Sequence, residues 1–154
     1  MGRLPIATLC GLGLALVSIQ GLGPARAQGD PGRGIRIETL AQGSTDWSGR
    51  PLPAYPSGVP LVTVLKITIP PGTSLARHLH PVINAGVLLQ GRLLVTSDSG
   101  ETKRLSAGDG LIEMVNQVHA GTSLGPEPAV IVVVYAGAQG LPTSVPANAA
   151  STGL

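Results

Sequence analysis

The chain has 154 residues, of which 43% are hydrophobic and 2% aromatic, and its ten lysines and arginines nearly balance eight aspartates and glutamates. Without a basic run, and with so few aromatic rings, the sequence excludes a nucleic-acid-binding surface. Its length supports one hydrophobic core rather than two.

The first 27 residues have the pattern of a secretory signal peptide. A positive start at Arg3 leads into an apolar run over residues 4–19, and Ala25-Arg26-Ala27 fits the small-x-small rule for cleavage. The apolar run is short for a membrane span of roughly 20 residues. We therefore expect cleavage after Ala27 and a periplasmic or secreted protein with no membrane contact. The alternative is an uncleaved N-terminal anchor.

Loss of this segment changes two properties of the mature chain. Cys10 is the only cysteine, so the mature protein cannot form a disulfide bond within the chain and depends on a packed core. Arg3 and Arg26 are removed as well, which leaves eight basic against eight acidic residues and a net charge near zero.

The remaining sequence divides into three parts. Residues 28–60 are rich in proline and glycine, which predicts an extended wrapping segment that Trp47 and Tyr55 hold against the domain by burying their rings. Residues 61–138 form the predicted barrel. Residues 139–154 are small, polar and proline-containing, which predicts a flexible tail.

The central part consists of short β-branched runs separated by glycine and proline turns, and no segment has helical periodicity. This pattern predicts an all-β sandwich or barrel. The last apolar run, AVIVVVY, is the best candidate for a central strand. Strands are expected at Val62–Ile69, Gly86–Gln90, Arg92–Ser97, Thr102–Leu105, Leu111–Val115, around His119 and at Ala129–Tyr135.

The three histidines of the chain are spaced as metal ligands would be. His78 and His80 are two residues apart, so on a strand both imidazoles project from one face. His119 begins a later strand that a closed antiparallel barrel can place beside them. Three imidazoles that leave an open position can bind Zn, Fe, Mn, Cu or Ni.

At these residues the sequence resembles the cupin family. The first cupin motif is a glycine, five residues, His-x-His, three or four residues, a glutamate, six residues and a glycine. Gly72, His78, His80 and Gly91 reproduce every spacing, with Asn84 in the place of the glutamate. The resemblance implies a single-domain jelly-roll barrel with a divalent transition metal on its histidines.

The second cupin motif is matched less completely. Gly108 and His119 are in register, whereas Met114, Asn116 and Ser123 replace the usual proline, glycine and asparagine. The resemblance extends over about residues 62–135 and uses all three histidines. It further implies a homodimer that pairs through strand edges.

Two polar residues are candidates for catalysis. Asn84 cannot act as a base and is a poor ligand beside three imidazoles, so it either donates a hydrogen bond to a bound molecule or caps the mouth of the barrel. Glu113 lies among apolar residues and is either a carboxylate close to the metal or half of a salt bridge with Arg77 or Arg92. Gln90 shares the strand parity of Asn84 and either lines the cavity or belongs to a turn.

Two classes of function remain open. The first is a metal-dependent oxygenase, lyase or isomerase that acts on a small anionic molecule, because a neutral three-histidine site with a divalent ion has a net charge of +2. The second is a non-catalytic module that binds a small ligand or a metal, which the missing glutamate and an apolar lining favour. The position of Glu113 discriminates between them. The expected apolar lining is Leu88, Val95, Ile112 and Val132.

Overall fold

The computed structural model describes residues 34–150. The predicted signal peptide, residues 1–27, lies outside this part. Residues 34–37 and residues 38–150 belong to two separate compact units, and all the strands lie in the second. Within residues 34–150, no helix is long and apolar enough to cross a membrane.

The regular secondary structure of residues 38–150 consists almost entirely of antiparallel strands, as the sequence predicts. One helix of four residues follows the last strand in the described part of the chain. The elements are β1 (Pro60–Ile69), β2 (His78–Leu79), β3 (Ile83–Gln90), β4 (Arg92–Ser97), β5 (Thr102–Ser106), β6 (Gly110–Ile112), β7 (His119–Ser123), β8 (Ala129–Ala138), β9 (Val145–Pro146) and α1 (Ala147–Ala150).

The strands form two sheets that enclose one core. One sheet has the order β1-β8-β3-β6 and the other the order β5-β4-β7-β2-β9. Strand β8 contains the AVIVVVY run and lies between β1 and β3, so its prediction as a central strand is confirmed. The result is a two-sheet jelly roll whose sheets keep separate edges, which confirms the fold class without a continuously closed barrel.

Alternation along β8 determines which side chains enter the core. Ile131, Val133 and Tyr135 point inward and are each 4% exposed, whereas Val134 on the opposite face is 43% exposed. Side chains from both sheets complete the core, including Ile69, Leu88, Leu93, Val95, Leu105 and Leu111. Burying each such side chain contributes roughly 1.5–3 kcal/mol to the transfer free energy.

A tight turn joins β3 to β4 at Gly91, as predicted. Its φ of +76° is in the left-handed region, and an added Cβ would collide with the carbonyl of Pro128. Glycine is therefore required at this position, both for its backbone conformation and for the close approach of a neighbouring chain segment.

The predictions for the two flanking segments are only partly correct. Trp47 packs against the core and its backbone N–H donates to the carbonyl of Ile112 at 3.0 Å. The side chain of Tyr55 is 74% exposed, so the expectation that it is buried is wrong. The tail predicted to be flexible from residue 139 contains β9, which pairs with β2 at His78–Pro146 and Leu79–Val145.

Candidate metal centre

The two histidine segments lie on adjacent strands of one sheet. His78 on β2 is paired directly with His119 on β7. His80 follows β2 and forms an isolated bridge with Val115, and its carbonyl accepts a hydrogen bond from the N–H of Asn116 at 2.8 Å. His78 and His119, which are far apart along the chain, are thus brought together by antiparallel pairing.

The three imidazoles form a nearly equilateral triangle. Their ring centroids are separated by 4.9 Å (His78 to His80), 4.8 Å (His78 to His119) and 5.0 Å (His80 to His119). One nitrogen of each ring lies within 4.8 Å of those of the other two. His80 and His119 are buried and His78 is half-buried, so the triangle opens to solvent on the His78 side.

Hydrogen bonds at Nδ1 fix the tautomer of every ring. The Nδ1 atoms of His78, His80 and His119 are each 2.8 Å from a backbone carbonyl, those of Ala76, Thr143 and Gln117 respectively. A carbonyl can only accept, so Nδ1 carries a proton, and in a neutral ring the lone pair of Nε2 is then free. Hydrogen bonding of the second nitrogen to a carbonyl is the usual support of a histidine that binds a metal.

Burial keeps the imidazoles of His80 and His119 neutral. Desolvation lowers the pKa of His80 from 6.5 to about 3, against an opposing effect of the Thr143 carbonyl, and the nearby His119 lowers it further. Desolvation likewise lowers the pKa of His119. A metal needs unprotonated imidazole, so the folded chain presents these ligands in the form that binds.

Two buried polar atoms at this centre have no hydrogen-bond partner. They are Nε2 of His119 and Oε2 of Glu113, which lie 3.6 Å apart. Buried polar atoms are nearly always satisfied, and an unsatisfied one costs about 1–3 kcal/mol. A divalent cation would satisfy the free Nε2 lone pair together with the carboxylate oxygen, so the residues fit a transition-metal ion with nitrogen and oxygen ligands.

Glu113 reaches this centre from just beyond the end of β6. The chain leaves the strand after Ile112, earlier than the predicted end at Val115, and the N–H of Glu113 donates to the carbonyl of Asn84 at 3.1 Å. Desolvation raises the pKa of Glu113 from 4.5 to about 7, opposed by the backbone at Met114. The carboxyl group can therefore be either protonated or ionised near neutral pH.

The salt-bridge alternative for Glu113 is not what the structure has. Arg77 pairs with Asp98, and Arg92 donates to the carbonyl of Gly125 at 2.9 Å. Glu113 is instead 7% exposed and turned toward the histidines.

Asn84 is buried beside this centre but does not line its cavity. It is 1% exposed, its Nδ2 donates to the carbonyl of Val82 at 3.3 Å, and its Oδ1 has no partner. Gln90, which the sequence places either in the cavity lining or in a turn, does not line the cavity: it is the last residue of β3, is paired with Val130, and has an exposed side chain.

The histidines connect a small inner cavity with a larger outer cleft. The inner cavity has a volume of about 40 Å³, enough for an ion and one or two water-sized groups. The outer cleft has about 310 Å³ and shares His78, His80 and Tyr135 with it. The apolar residues that line the inner cavity are Ile67, Ile69, Leu75, Leu93, Val95, Ile131 and Val133.

Only Val95 of the predicted apolar lining is correct. Leu88 is buried elsewhere in the core, and Ile112 and Val132 lie on the opposite parity from the residues that face the cavity. Alternation predicts two faces for a strand but does not say which one is internal.

Two residues of the site were not predicted. Tyr135 lines both the cavity and the cleft, and its ring centroid is 5.4 Å from that of His80. Burial, and then the charge of Glu113, raise the pKa of Tyr135 to about 12, so its hydroxyl stays protonated. In the sequence, the signal for Tyr135 was a single aromatic residue at the end of an aliphatic strand. Thr143 contacts His80 through its backbone carbonyl, and every residue has a carbonyl, so the residue type gives no signal.

Residues 65–135 match the family model described as the cupin domain. This range contains the three histidines, Asn84 and Glu113. The comparison with curated proteins found no match.

Solved structures share the fold. An uncharacterised protein with a double-stranded β-helix domain from Klebsiella pneumoniae is 28% identical, with a TM-score of 0.47, over 58% of this chain and 85% of that one. A variant of Bacillus subtilis oxalate decarboxylase is 21% identical, with a TM-score of 0.52, over 60% of this chain and 26% of that one. An oxalate oxidase with bound glycolate is 25% identical, with a TM-score of 0.45, over 49% and 42%.

Proposed function

We propose that this chain, which carries a cupin domain at residues 65–135, is an exported metalloprotein that binds one divalent transition metal through Nε2 of His78, His80 and His119. We propose further that it is an enzyme, an oxygenase, lyase or isomerase acting on a small anionic molecule. The observation that carries the proposal is the convergence of three imidazoles, each with its Nδ1 bonded to a backbone carbonyl, beside a buried carboxylate.

A divalent metal bound here would supply a Lewis acid with open coordination positions. Three neutral imidazoles leave the full charge of the ion uncompensated, which favours an anionic ligand. An ionised Glu113 would reduce that charge and repel the ligand. In the metal-free protein burial raises the pKa of Glu113 to about 7, so the carboxyl group can carry a proton near neutral pH, and a bound cation would shift it towards the ionised form.

Glu113 is the group best placed to move a proton. Its Oε2 is buried, has no hydrogen-bond partner and lies 3.6 Å from Nε2 of His119. A pKa close to the working pH is what a general acid or base requires. In the proposed site Glu113 exchanges a proton with the ligand, and the protonated hydroxyl of Tyr135 donates a hydrogen bond at the boundary between cavity and cleft.

The outer cleft is where the body of a substrate would lie. The inner cavity holds only a few atoms, so a reacting group would enter it past His78 while the rest stays in the cleft. The cleft combines apolar residues, Leu65 and Leu75, with the polar Thr143 and Ser144. This lining suits a small molecule with one anionic end.

A non-catalytic binding module is the second candidate. Its support is Asn84, which stands where the family motif has a glutamate and which does not line the cavity. With the carboxylate of that position missing, the site could hold a metal or a ligand without turnover. The test therefore has to separate metal binding from chemistry.

Metal content tests the first part of the proposal. We expect the wild-type protein, purified from its native compartment, to contain about one equivalent of a divalent transition metal, and His80→Ala to contain little. The control is Gln90→Ala, which changes an exposed polar residue at the end of β3. This variant should retain the ion. Equal metal content in His80→Ala and the wild type would refute the ligand assignment.

Turnover by Glu113→Gln tests the second part. Oxygen uptake and product formation would be screened with small enols and carboxylates, oxalate and glycolate among them. If Glu113 is the acid or base, Glu113→Gln retains the metal, but its turnover rate falls about 10²–10⁴-fold. A metal-loaded wild type that turns over none of these compounds, but binds one of them, would favour the binding module.

A further inference from the structure

The three ligand histidines do not obtain their Nδ1 hydrogen bonds in the same way. His78 and His119 each donate to the carbonyl two residues earlier, Ala76 and Gln117. His80 donates to Thr143, which is 63 residues further along the chain. Two of the rings are thus oriented locally, whereas the third depends on a distant segment.

Thr143 belongs to residues 141–147, which we call the C-terminal segment. This segment lies beside β2. Its strand β9 pairs with β2 at His78–Pro146 and Leu79–Val145. Beyond it, the N–H of Ala147 donates to the carbonyl of Arg77 at 3.0 Å. These contacts hold the Thr143 carbonyl 2.8 Å from Nδ1 of His80.

We propose that the C-terminal segment is an integral part of the metal centre, in which the Thr143 carbonyl is the positioning group for His80. Without this acceptor the imidazole can rotate about its side-chain bonds and can place its proton on Nε2, where the proton blocks coordination. The consequence for metal affinity rests on the proposed function, but the hydrogen bond itself does not.

The same segment also forms one wall of the outer cleft. Thr143, Ser144 and Pro146 line it together with His78 and His80. A molecule in the cleft therefore contacts the segment that orients a ligand histidine. Displacement of the segment would loosen both the His80 ring and the wall against which the molecule lies.

The first test uses the full-length, metal-free wild type with ¹⁵N-labelled histidine. We expect all three rings to show a protonated Nδ1 and an unprotonated Nε2. For His80, we expect slow exchange of the Nδ1 proton, because the acceptor is held in the folded structure. A protonated Nε2 on His80 in the folded protein would overturn the proposal, whether or not the protein binds any metal.

The second test detaches the C-terminal segment by two substitutions in the full chain. Val145→Asp puts a charge on a half-buried residue of β9, and Ala147→Pro removes the N–H that binds Arg77. We expect the double variant to lose the Nδ1 proton signal of His80 while those of His78 and His119 remain. Their persistence shows that the sheet is still folded.

Zn²⁺ affinity is then measured by competition with a chelator. Loss of a group that orients a metal-binding histidine typically weakens binding about 10–100-fold, and we expect this for the double variant. Leu141→Ala changes an exposed side chain of the segment and should bind Zn²⁺ like the wild type.

The outcomes separate the two proposals. A wild type that does not bind Zn²⁺ refutes the metal centre, but the spectrum of His80 still decides the role of Thr143. A double variant that binds Zn²⁺ as tightly as the wild type, with its His80 signal already lost, refutes the contribution of the segment to the metal centre.

Discussion

Replacement of Glu113 by glutamine should change how the stability of the metal-free protein depends on pH. The carboxyl group is buried and its pKa is raised from 4.5 to about 7. Between these values the folded protein binds a proton that the unfolded chain does not. This contribution to stability is complete below pH 4.5 and is lost as the pH rises through 7. Glutamine occupies nearly the same volume and does not titrate.

The size of the effect follows from the two pKa values. One proton changes the free energy of unfolding by about 1.4 kcal/mol per pH unit. Over the interval from 7 to 4.5, the wild type should therefore gain up to about 3 kcal/mol relative to Glu113→Gln. His80 acts in the opposite sense, because its pKa is lowered from 6.5 to about 3. Its contribution is present above pH 6.5 and is lost on acidification in both proteins, so it cancels in the difference.

Urea unfolding in a metal chelator between pH 4.5 and 7.5 measures this difference, with the fluorescence of Trp47 as the signal, since that ring packs against the core. Glu113→Gln should lose stability more steeply than the wild type as the pH falls. Addition of Zn²⁺ at pH 7 should stabilise the wild type more than the variant, because a cation favours the ionised carboxylate. A difference that does not vary with pH would refute the burial of this carboxylate in the cavity.

Three further predictions concern the export signal, the core and the tyrosine. Mass spectrometry of protein recovered from the periplasm or medium should find a chain that begins at Gln28, and an intact N-terminus would contradict export by cleavage after Ala27. Leu88→Ala should lower the free energy of unfolding by about 2–5 kcal/mol, because Leu88 is fully buried, and a loss below 1 kcal/mol would show a looser core than the one described. Tyr135→Phe should bind Zn²⁺ normally but weaken binding of an anionic ligand in the cleft, as followed by calorimetry. Unchanged ligand affinity would remove its hydroxyl from the site.

The sheet architecture and the meeting of the histidines were accessible from sequence for physical reasons. The alternation of β-branched residues indicates where strands lie, and glycine turns indicate where they end. Strand β4, for example, has the bounds that the sequence predicts. His78 and His119 are far apart in the chain, but the resemblance to the cupin motifs supplied the pairing that local patterns cannot. A long-range contact is otherwise invisible to periodicity.

What could not be predicted depends on backbone position rather than residue type. The direction of Glu113 was open because a strand pattern does not identify its inner face, and the chain in fact leaves β6 after Ile112. The C-terminal segment was expected to be loose because it is small, polar and rich in proline, yet its backbone pairs with β2 and its Thr143 carbonyl binds His80. Composition carries no information about a carbonyl that is held in place by tertiary contacts.

X-ray absorption spectroscopy of the Zn²⁺-loaded protein would examine the ion's surroundings without reference to any reaction. The account predicts a first coordination sphere with three imidazole nitrogens at about 2.0–2.1 Å and the remaining positions filled by oxygen. A spectrum dominated by oxygen, with fewer than three imidazoles, would contradict it.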